Sequence, residues 1–188
     1  IDAFTEPGDL VLDPFVGGGT TLVEAMVSGR HAVGTDISSL ATFVSEVKTT
    51  IYSEDDLAKL QRWYEGIADG INILEPVEVD ALYEEAGYTK HLDSAANWRL
   101  KKAIEQVMGT ARKLKPKRLE DFARCVLLRT SQWALNGRKK LPSIDDFRSM
   151  LVTDATAMIE GARELRQTIL AAGHGFSEIT CLNRTTKG

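Results

Sequence analysis

The feature that most constrains the fold is a glycine triplet, Gly17–Gly19, placed between a short apolar run and a helical pattern. The run Asp9–Asp13 follows the Pro7-Gly8 turn and predicts a β-strand, whereas Thr20–Ser28 carries apolar residues at helical spacing. Glycine tolerates positive φ and lets the backbone approach a ligand closely, and the start of a helix presents unpaired N–H groups. The stretch therefore predicts a strand, a ligand-binding turn and a helix.

A second strand and helix follow, with an acid at their junction. Ala32–Thr35 predicts a strand that ends at Asp36, and either Ser38 or Ser39 caps the next helix. This alternation is typical of the opening of a doubly wound α/β fold. Asp36 lies 23 positions after Asp13, where a carboxylate can accept hydrogen bonds from both ribose hydroxyls of an adenine nucleoside.

Beyond residue 52 the pattern becomes helical. Predicted helices cover about 53–73, 79–86, 94–114 and 119–136, and a last one begins at a capping-box-like stretch, 143–146, and ends near 172. Residues 176–182 predict a strand that returns to the sheet. We therefore divide the chain into an α/β segment (1–52), a large all-helical insertion (53–172) and a possible returning strand (173–188).

The glycine turn is compatible with three ligand classes, and its residues favour one of them. A P-loop would need a lysine after the last glycine, and none follows Gly19. A dinucleotide site would need a third glycine where Leu22 stands, and the carboxylate of Asp13 would repel a pyrophosphate. S-adenosyl-L-methionine (SAM) carries an ammonium and a sulfonium, which suit Asp13, and an adenosine, which suits Asp36.

The same residues carry a resemblance to a known family. Residues 13–21, DPFVGGGTT, and 34–36, GTD, resemble motifs I and II of the N4-cytosine/N6-adenine DNA methyltransferases, and residues 4–8 resemble the tail of motif X. The resemblance covers residues 4–49. It implies a Rossmann-like SAM-dependent methyltransferase core, of which this chain shows only part of the sheet.

The resemblance also implies which residues bind SAM. Asp13 and the Gly17–Gly19 turn would hold the methionine end, Phe15 would pack near the cofactor, and Asp36 would bind the ribose with Ile37 beside the adenine. The complete predicted set is Asp13, Pro14, Phe15, Gly17, Gly19, Thr20, Asp36 and Ile37.

The catalytic motif of the family has no counterpart here. These enzymes methylate an exocyclic amine, N6 of adenine or N4 of cytosine, with a [D/N/S]-P-P-[Y/F] loop whose aromatic ring stacks on the flipped base. Every proline of this chain is isolated: Pro7, Pro14, Pro76, Pro116 and Pro142. We therefore assign no catalytic residue and expect the chain alone to be inactive. The motif is expected downstream in the parent chain or on a second subunit, with a degenerate SAM binder as the third explanation.

The charge of the chain is unevenly distributed. Its net charge is −4, but residues 94–140 hold 13 Lys and Arg against three acids, so this segment is +10 and the remainder −14. A basic block inside an acidic protein predicts a surface for a polyanion, and it lies where target recognition would be expected in this motif order. The predicted DNA contacts are Lys115, Lys117, Arg118, Arg138, Lys139 and Lys140.

Two other functions stay open from sequence. One is an RNA guanine-N2 methyltransferase, because basic helices suit RNA as well as DNA. The other is a non-catalytic SAM- or nucleic-acid-binding module of a larger assembly.

Composition adds further expectations. The chain contains no apolar run of about 20 residues and does not start with a signal peptide, so a cytoplasmic location is expected, in a restriction-modification context. Cys125 and Cys181 are far apart, and the histidines show no ligand spacing, so no metal site is predicted.

Overall fold

The computed structural model describes residues 1–75, 97–137 and 140–184. Within them lie three strands and six helices. The strands are β1 (Leu10–Asp13), β2 (His31–Asp36) and β3 (Ile179–Asn183); the helices are α1 (Thr20–Val27), α2 (Ser39–Thr49), α3 (Glu54–Gly70), α4 (Trp98–Ala111), α5 (Lys117–Leu135) and α6 (Ile144–Ala172). The mixed α/β class is confirmed. The predicted helix at 79–86 lies outside the described residues.

The chain divides into two compact units. One comprises Ile1–Glu54 with Glu160–Gly188, and the other comprises Asp55–Ile159. The first unit contains the sheet with α1 and α2, and the second contains most of α3, all of α4 and α5, and the first half of α6. That the helical region serves target recognition stays a prediction.

The sheet of the first unit is parallel, in the order β1-β2-β3. Val11 is the register partner of Ala32, and Ala32 that of Ile179, so these three side chains share one face. They pack with buried Val16, Leu22 and Ala25 in one apolar core, which holds α1 on this face. On the opposite face of edge strand β1, Leu10 and Leu12 are each 65% exposed.

Local sequence signals set several helix ends. Ser38 rather than Ser39 is the N-cap of α2, and its hydroxyl accepts a hydrogen bond from the Ala41 N–H. The capping box predicted before α6 is present, with two reciprocal hydrogen bonds. The Asp146 N–H donates to Ser143 Oγ, and the Ser143 N–H donates to Asp146 Oδ2, both at 3.1 Å. The returning strand is also confirmed, as β3, which begins at Ile179 rather than at 176.

The second unit is helical and holds two acids with little solvent exposure. Asp56 of α3 accepts a two-point hydrogen bond from the Arg118 guanidinium, at 2.9 and 3.0 Å. Asp154 of α6 accepts from Arg129 Nε at 2.8 Å and from Thr130 Oγ1 at 2.9 Å. Such hydrogen bonds compensate a buried carboxylate for the water contacts that it loses on folding. None of the described helices is long and apolar enough to span a membrane.

The Arg118–Asp56 pair leads to a stability prediction. The Asp56 side chain is 4% exposed, while that of Arg118 is 45% exposed, so water screens part of the interaction. We expect Arg118→Ala to lower the free energy of unfolding by about 1–2 kcal/mol, because Asp56 would lose its two-point partner. Urea denaturation measures this change. Lys113→Ala, which removes the same charge from an exposed position, is the control, and equal midpoints for both variants would contradict the prediction.

Candidate cofactor-binding site

The predicted cofactor residues come together at one edge of the sheet. β1 ends at Asp13 and β2 at Asp36, and the parallel register places Asp13 beside Gly34. The glycine turn leaves β1 at this edge, and it is tied to β2 by the hydrogen bond from the Val16 N–H to the Thr35 carbonyl, at 3.0 Å. Carboxyl ends of parallel strands are where open α/β sheets bind their ligands.

Asp36 is fixed by two backbone groups. Its Oδ1 accepts a hydrogen bond from the Ser38 N–H at 2.8 Å, and its Oδ2 accepts one from the Gly17 N–H at 3.1 Å. These bonds, that from Ser38 first, lower the pKa of the Asp36 carboxyl below its ordinary value of 3.8. The carboxylate is therefore ionised at neutral pH. The stability it contributes is present above about pH 4 and is lost as the pH falls through the lowered pKa.

The turn itself requires glycine at two positions. Gly17 has φ +49° and Gly19 has φ +78°, both in the left-handed region that side chains disfavour. Gly19 is also crowded, because a Cβ atom there would lie 2.8 Å from Ser45 Oγ and 3.0 Å from Ser45 Cβ. Gly19 is the N-cap of α1, and no side chain caps this helix start.

Helix α2 contacts the turn through two residues that the sequence analysis missed. The Ser45 hydroxyl donates to the Gly17 carbonyl at 3.1 Å, and Lys48 Nζ donates to the Gly18 carbonyl at 2.7 Å. Ser45 is fully buried, whereas Lys48 is exposed. Both residues lie on the face of α2 that meets the turn, since helical positions three apart are neighbours.

The remaining predicted residues line the same edge. Asp13 Oδ1 accepts a hydrogen bond from the Phe15 N–H at 3.0 Å, and within the described chain its Oδ2 has no partner. Phe15 and Ile37 are each 76% exposed, so both present apolar surface at this edge. Pro14 and Thr20 are also exposed. The edge thus offers two carboxylates with two apolar surfaces.

A third missed residue is Asn183, at the carboxyl end of β3. Its Nδ2 donates to the backbone carbonyl of Asp36 at 3.1 Å, and the Arg184 N–H donates to the same carbonyl at 3.0 Å. No local pattern in the sequence indicates this contact, because it depends on the pairing of β3 with β2 in a register that opposes Asn183 to Asp36.

The predicted DNA contacts are not equivalent. Lys115 is exposed, and so is Lys140, whereas Lys117 pairs with Asp121 at 2.5 Å and with Glu120 at 3.4 Å. Arg118 is held by Asp56. Arg138 and Lys139 lie outside the described residues. All six stay predictions as DNA contacts, and two of them have part of their charge neutralised by acids of the same unit.

A cavity of the first unit, with a volume of about 300 Å³, lies between α2 and β3 and is lined in part by Cys181 and Glu46. Burial and then the negative charge of Glu46 raise the pKa of the Cys181 thiol to about 11. The thiolate fraction of Cys181 at pH 8 is therefore about a hundredfold below that of an ordinary cysteine. A thiolate of higher pKa is intrinsically more nucleophilic, so the reaction rate falls by only about tenfold.

We accordingly expect iodoacetamide to alkylate Cys181 in the folded chain at pH 8 about tenfold more slowly than the same residue in urea. Mass spectrometry of a tryptic digest measures both rates. Equal rates in the folded and unfolded chain would contradict the raised pKa.

Comparison with known proteins finds similarity over the part of the chain that contains this site. Residues 1–42 match the model of the N6/N4 methyltransferase family described as DNA methylase. The chain is 43% identical over 53 residues to the type II methyltransferase M.MjaII of Methanocaldococcus jannaschii, an alignment that covers 28% of this chain and 10% of that protein. No solved structure gives a significant match.

Two further relatives align over longer stretches. The type II methyltransferase M.BsoBI of Geobacillus stearothermophilus is 31% identical over 83 residues, 44% of this chain and 15% of its own. The DNA adenine methyltransferase YhdJ of Escherichia coli K12 is 34% identical over 83 residues, 43% of this chain and 28% of its own. The chain thus spans between 10% and 28% of the length of these relatives. The resemblance to the N4-cytosine/N6-adenine DNA methyltransferases is therefore confirmed over the part of the chain that these matches cover.

Proposed function

We propose that this chain is the SAM-binding part of a DNA amino-methyltransferase, which transfers a methyl group to N6 of adenine or N4 of cytosine. The observation that carries the proposal is the hydrogen bond between the Gly17 N–H and Asp36 Oδ2, at 3.1 Å. It joins the glycine turn after β1 to the acid after β2, so that one ligand can reach both. The Rossmann-like core implied by the resemblance is part of the same proposal.

The described residues fit SAM. Each oxygen of the Asp36 carboxylate accepts one backbone N–H, which leaves acceptor sites for two ribose hydroxyls. Asp13 places a second carboxylate at the same edge for the ammonium of the methionine end. Phe15 offers exposed apolar surface to the cofactor, and Ile37 offers it to the adenine. When bound, SAM supplies an activated methyl group on its sulfonium. The residues of this chain bind and orient that donor.

The target base requires residues that this sequence does not contain. No Pro-Pro pair occurs in the chain, so we expect the loop that accepts the amine to come from elsewhere in the parent protein or from a second subunit. Catalysis would rest on positioning and on hydrogen bonds to the amine. DNA is favoured over RNA because two relatives are named type II methyltransferases and one a DNA adenine methyltransferase.

Calorimetric titration of SAM into the chain tests the cofactor proposal. We expect saturable binding with one site per chain. Circular dichroism and a cooperative thermal transition establish in the same sample that the chain is folded. A folded chain that releases no heat with SAM, and whose melting temperature SAM does not raise, would contradict the proposal.

The DNA proposal has a separate test on Lys115, which is exposed beside Pro116. If Lys115 contacts a phosphate, Lys115→Ala should reduce the slope of log affinity against log salt for duplex DNA by about one. Fluorescence anisotropy over a series of salt concentrations measures this slope. Lys59→Ala, which removes a charge that already pairs with Asp55 at 2.6 Å, is the control. The same slope for Lys115→Ala and the intact chain would exclude Lys115 as a contact.

A further inference from the structure

The proposed function leaves unexplained the direction in which the backbone N–H of Gly18 points. In a trans peptide unit the carbonyl and the N–H point in opposite directions. The Gly17 carbonyl accepts from the buried Ser45 hydroxyl, so the N–H of Gly18 in the same peptide unit is aimed away from α2. Within the described residues this N–H has no acceptor.

The other groups of the turn are engaged. The Gly17 N–H donates to Asp36 Oδ2, the Gly19 N–H donates to the Val16 carbonyl at 2.8 Å, and the Gly18 carbonyl accepts from Lys48. Gly18 is exposed, so its N–H is available to donate a hydrogen bond to a ligand. Its direction depends on Ser45 on one side and Lys48 on the other.

We propose that Ser45 and Lys48 are positioning residues of the cofactor site, which hold the Gly17 and Gly18 carbonyls on α2 and thereby aim the Gly18 N–H at the carboxylate of the amino-acid end of SAM. This inference rests on the proposed function. Ser45 carries the larger share, because it is fully buried and also packs against Gly19. Lys48 is exposed, so water competes for its bond.

The expected effect is a selective loss of affinity. Ser45→Ala removes only the hydroxyl and should lower the affinity for SAM about fivefold, the size expected for one misaligned hydrogen bond. Lys48→Met should lower this affinity about twofold. Affinity for 5′-methylthioadenosine, which lacks the amino-acid end, should change by less than twofold in both variants. Thr42→Val is the matched control, because it removes another buried hydroxyl of α2, one that bonds the backbone of its own helix at Ser39.

Calorimetry with both ligands and an amide ¹H–¹⁵N spectrum of the ligand-free chain complete the experiment. The Gly18 amide resonance should shift in Ser45→Ala and stay in place in Thr42→Val. Equal SAM affinity for Ser45→Ala and the intact chain, or an equal loss for SAM and methylthioadenosine, would overturn the inference while leaving the proposed function intact. If the intact folded chain binds no SAM, the proposed function fails. Independently of ligand binding, an unchanged Gly18 amide resonance in Ser45→Ala would overturn the positioning role.

Discussion

Replacement of Asp36 by alanine is expected to weaken SAM binding by about 30- to 300-fold, the largest effect on binding that the site predicts. Under the proposed function the Asp36 carboxylate accepts both ribose hydroxyls, and a hydrogen bond to a charged group is worth about 1.5–3 kcal/mol. The same carboxylate also fixes the Gly17 N–H and the Ser38 N–H. Its loss therefore removes ligand contacts and loosens the turn together.

Calorimetry with a parallel melting curve measures this prediction. Glu160→Ala, which removes an exposed carboxylate from α6, controls for the change in net charge. Asp36→Asn is a second variant in case the alanine variant unfolds, because it keeps one side-chain oxygen as an acceptor. Unchanged SAM affinity in a folded Asp36 variant would refute the ribose-binding role.

The second large effect is on stability. Gly19→Ala is expected to lower the free energy of unfolding of the unit that contains the sheet by about 2–4 kcal/mol. A side chain at φ +78° costs about 1–2 kcal/mol, and the added Cβ would lie 2.8 Å from Ser45 Oγ in a buried contact that cannot give way cheaply.

Gly18→Ala is the matched control for this substitution. A Cβ there would meet only the mobile end of Lys48, at 3.6 Å, and the backbone φ of Gly18 is not left-handed. We expect a change of about 0.5 kcal/mol or less. Urea denaturation followed by circular dichroism compares the two variants, and equal losses would mean that the conformation of Gly19 does not stabilise the fold.

Local sequence patterns were sufficient for most of the elements. The strands at 10–13 and 31–36, the helices that follow them and the cap at Ser143 were all predictable, because each depends on residues within a few positions of one another. The glycine turn and the acids beside it were recognisable for the same reason, since they lie in two short segments. Residues 1–42, which contain both segments, match the DNA methylase family model, and the assignment of these residues to SAM stays a prediction.

The parts of the fold and of the site that could not be predicted are those made by distant residues. The Asp56–Arg118 ion pair joins positions 62 apart, so Arg118 looked in sequence like a free cation beside Lys117. Asn183 reaches Asp36 across 147 positions, through the register of β3 on β2. Neither pairing leaves a local periodicity or motif.

The sequence by itself determined the class of the fold, the glycine turn and the pair of acids on which the proposed cofactor depends, because local backbone preference and ligand chemistry act over short stretches. Only the tertiary structure decided how the turn is oriented. Packing brings α2 against Gly19, places Ser45 on the Gly17 carbonyl and leaves the Gly18 N–H without a partner among the described residues. Hydrogen bonds between segments depend on which faces the core brings together, and that choice is made by the whole fold.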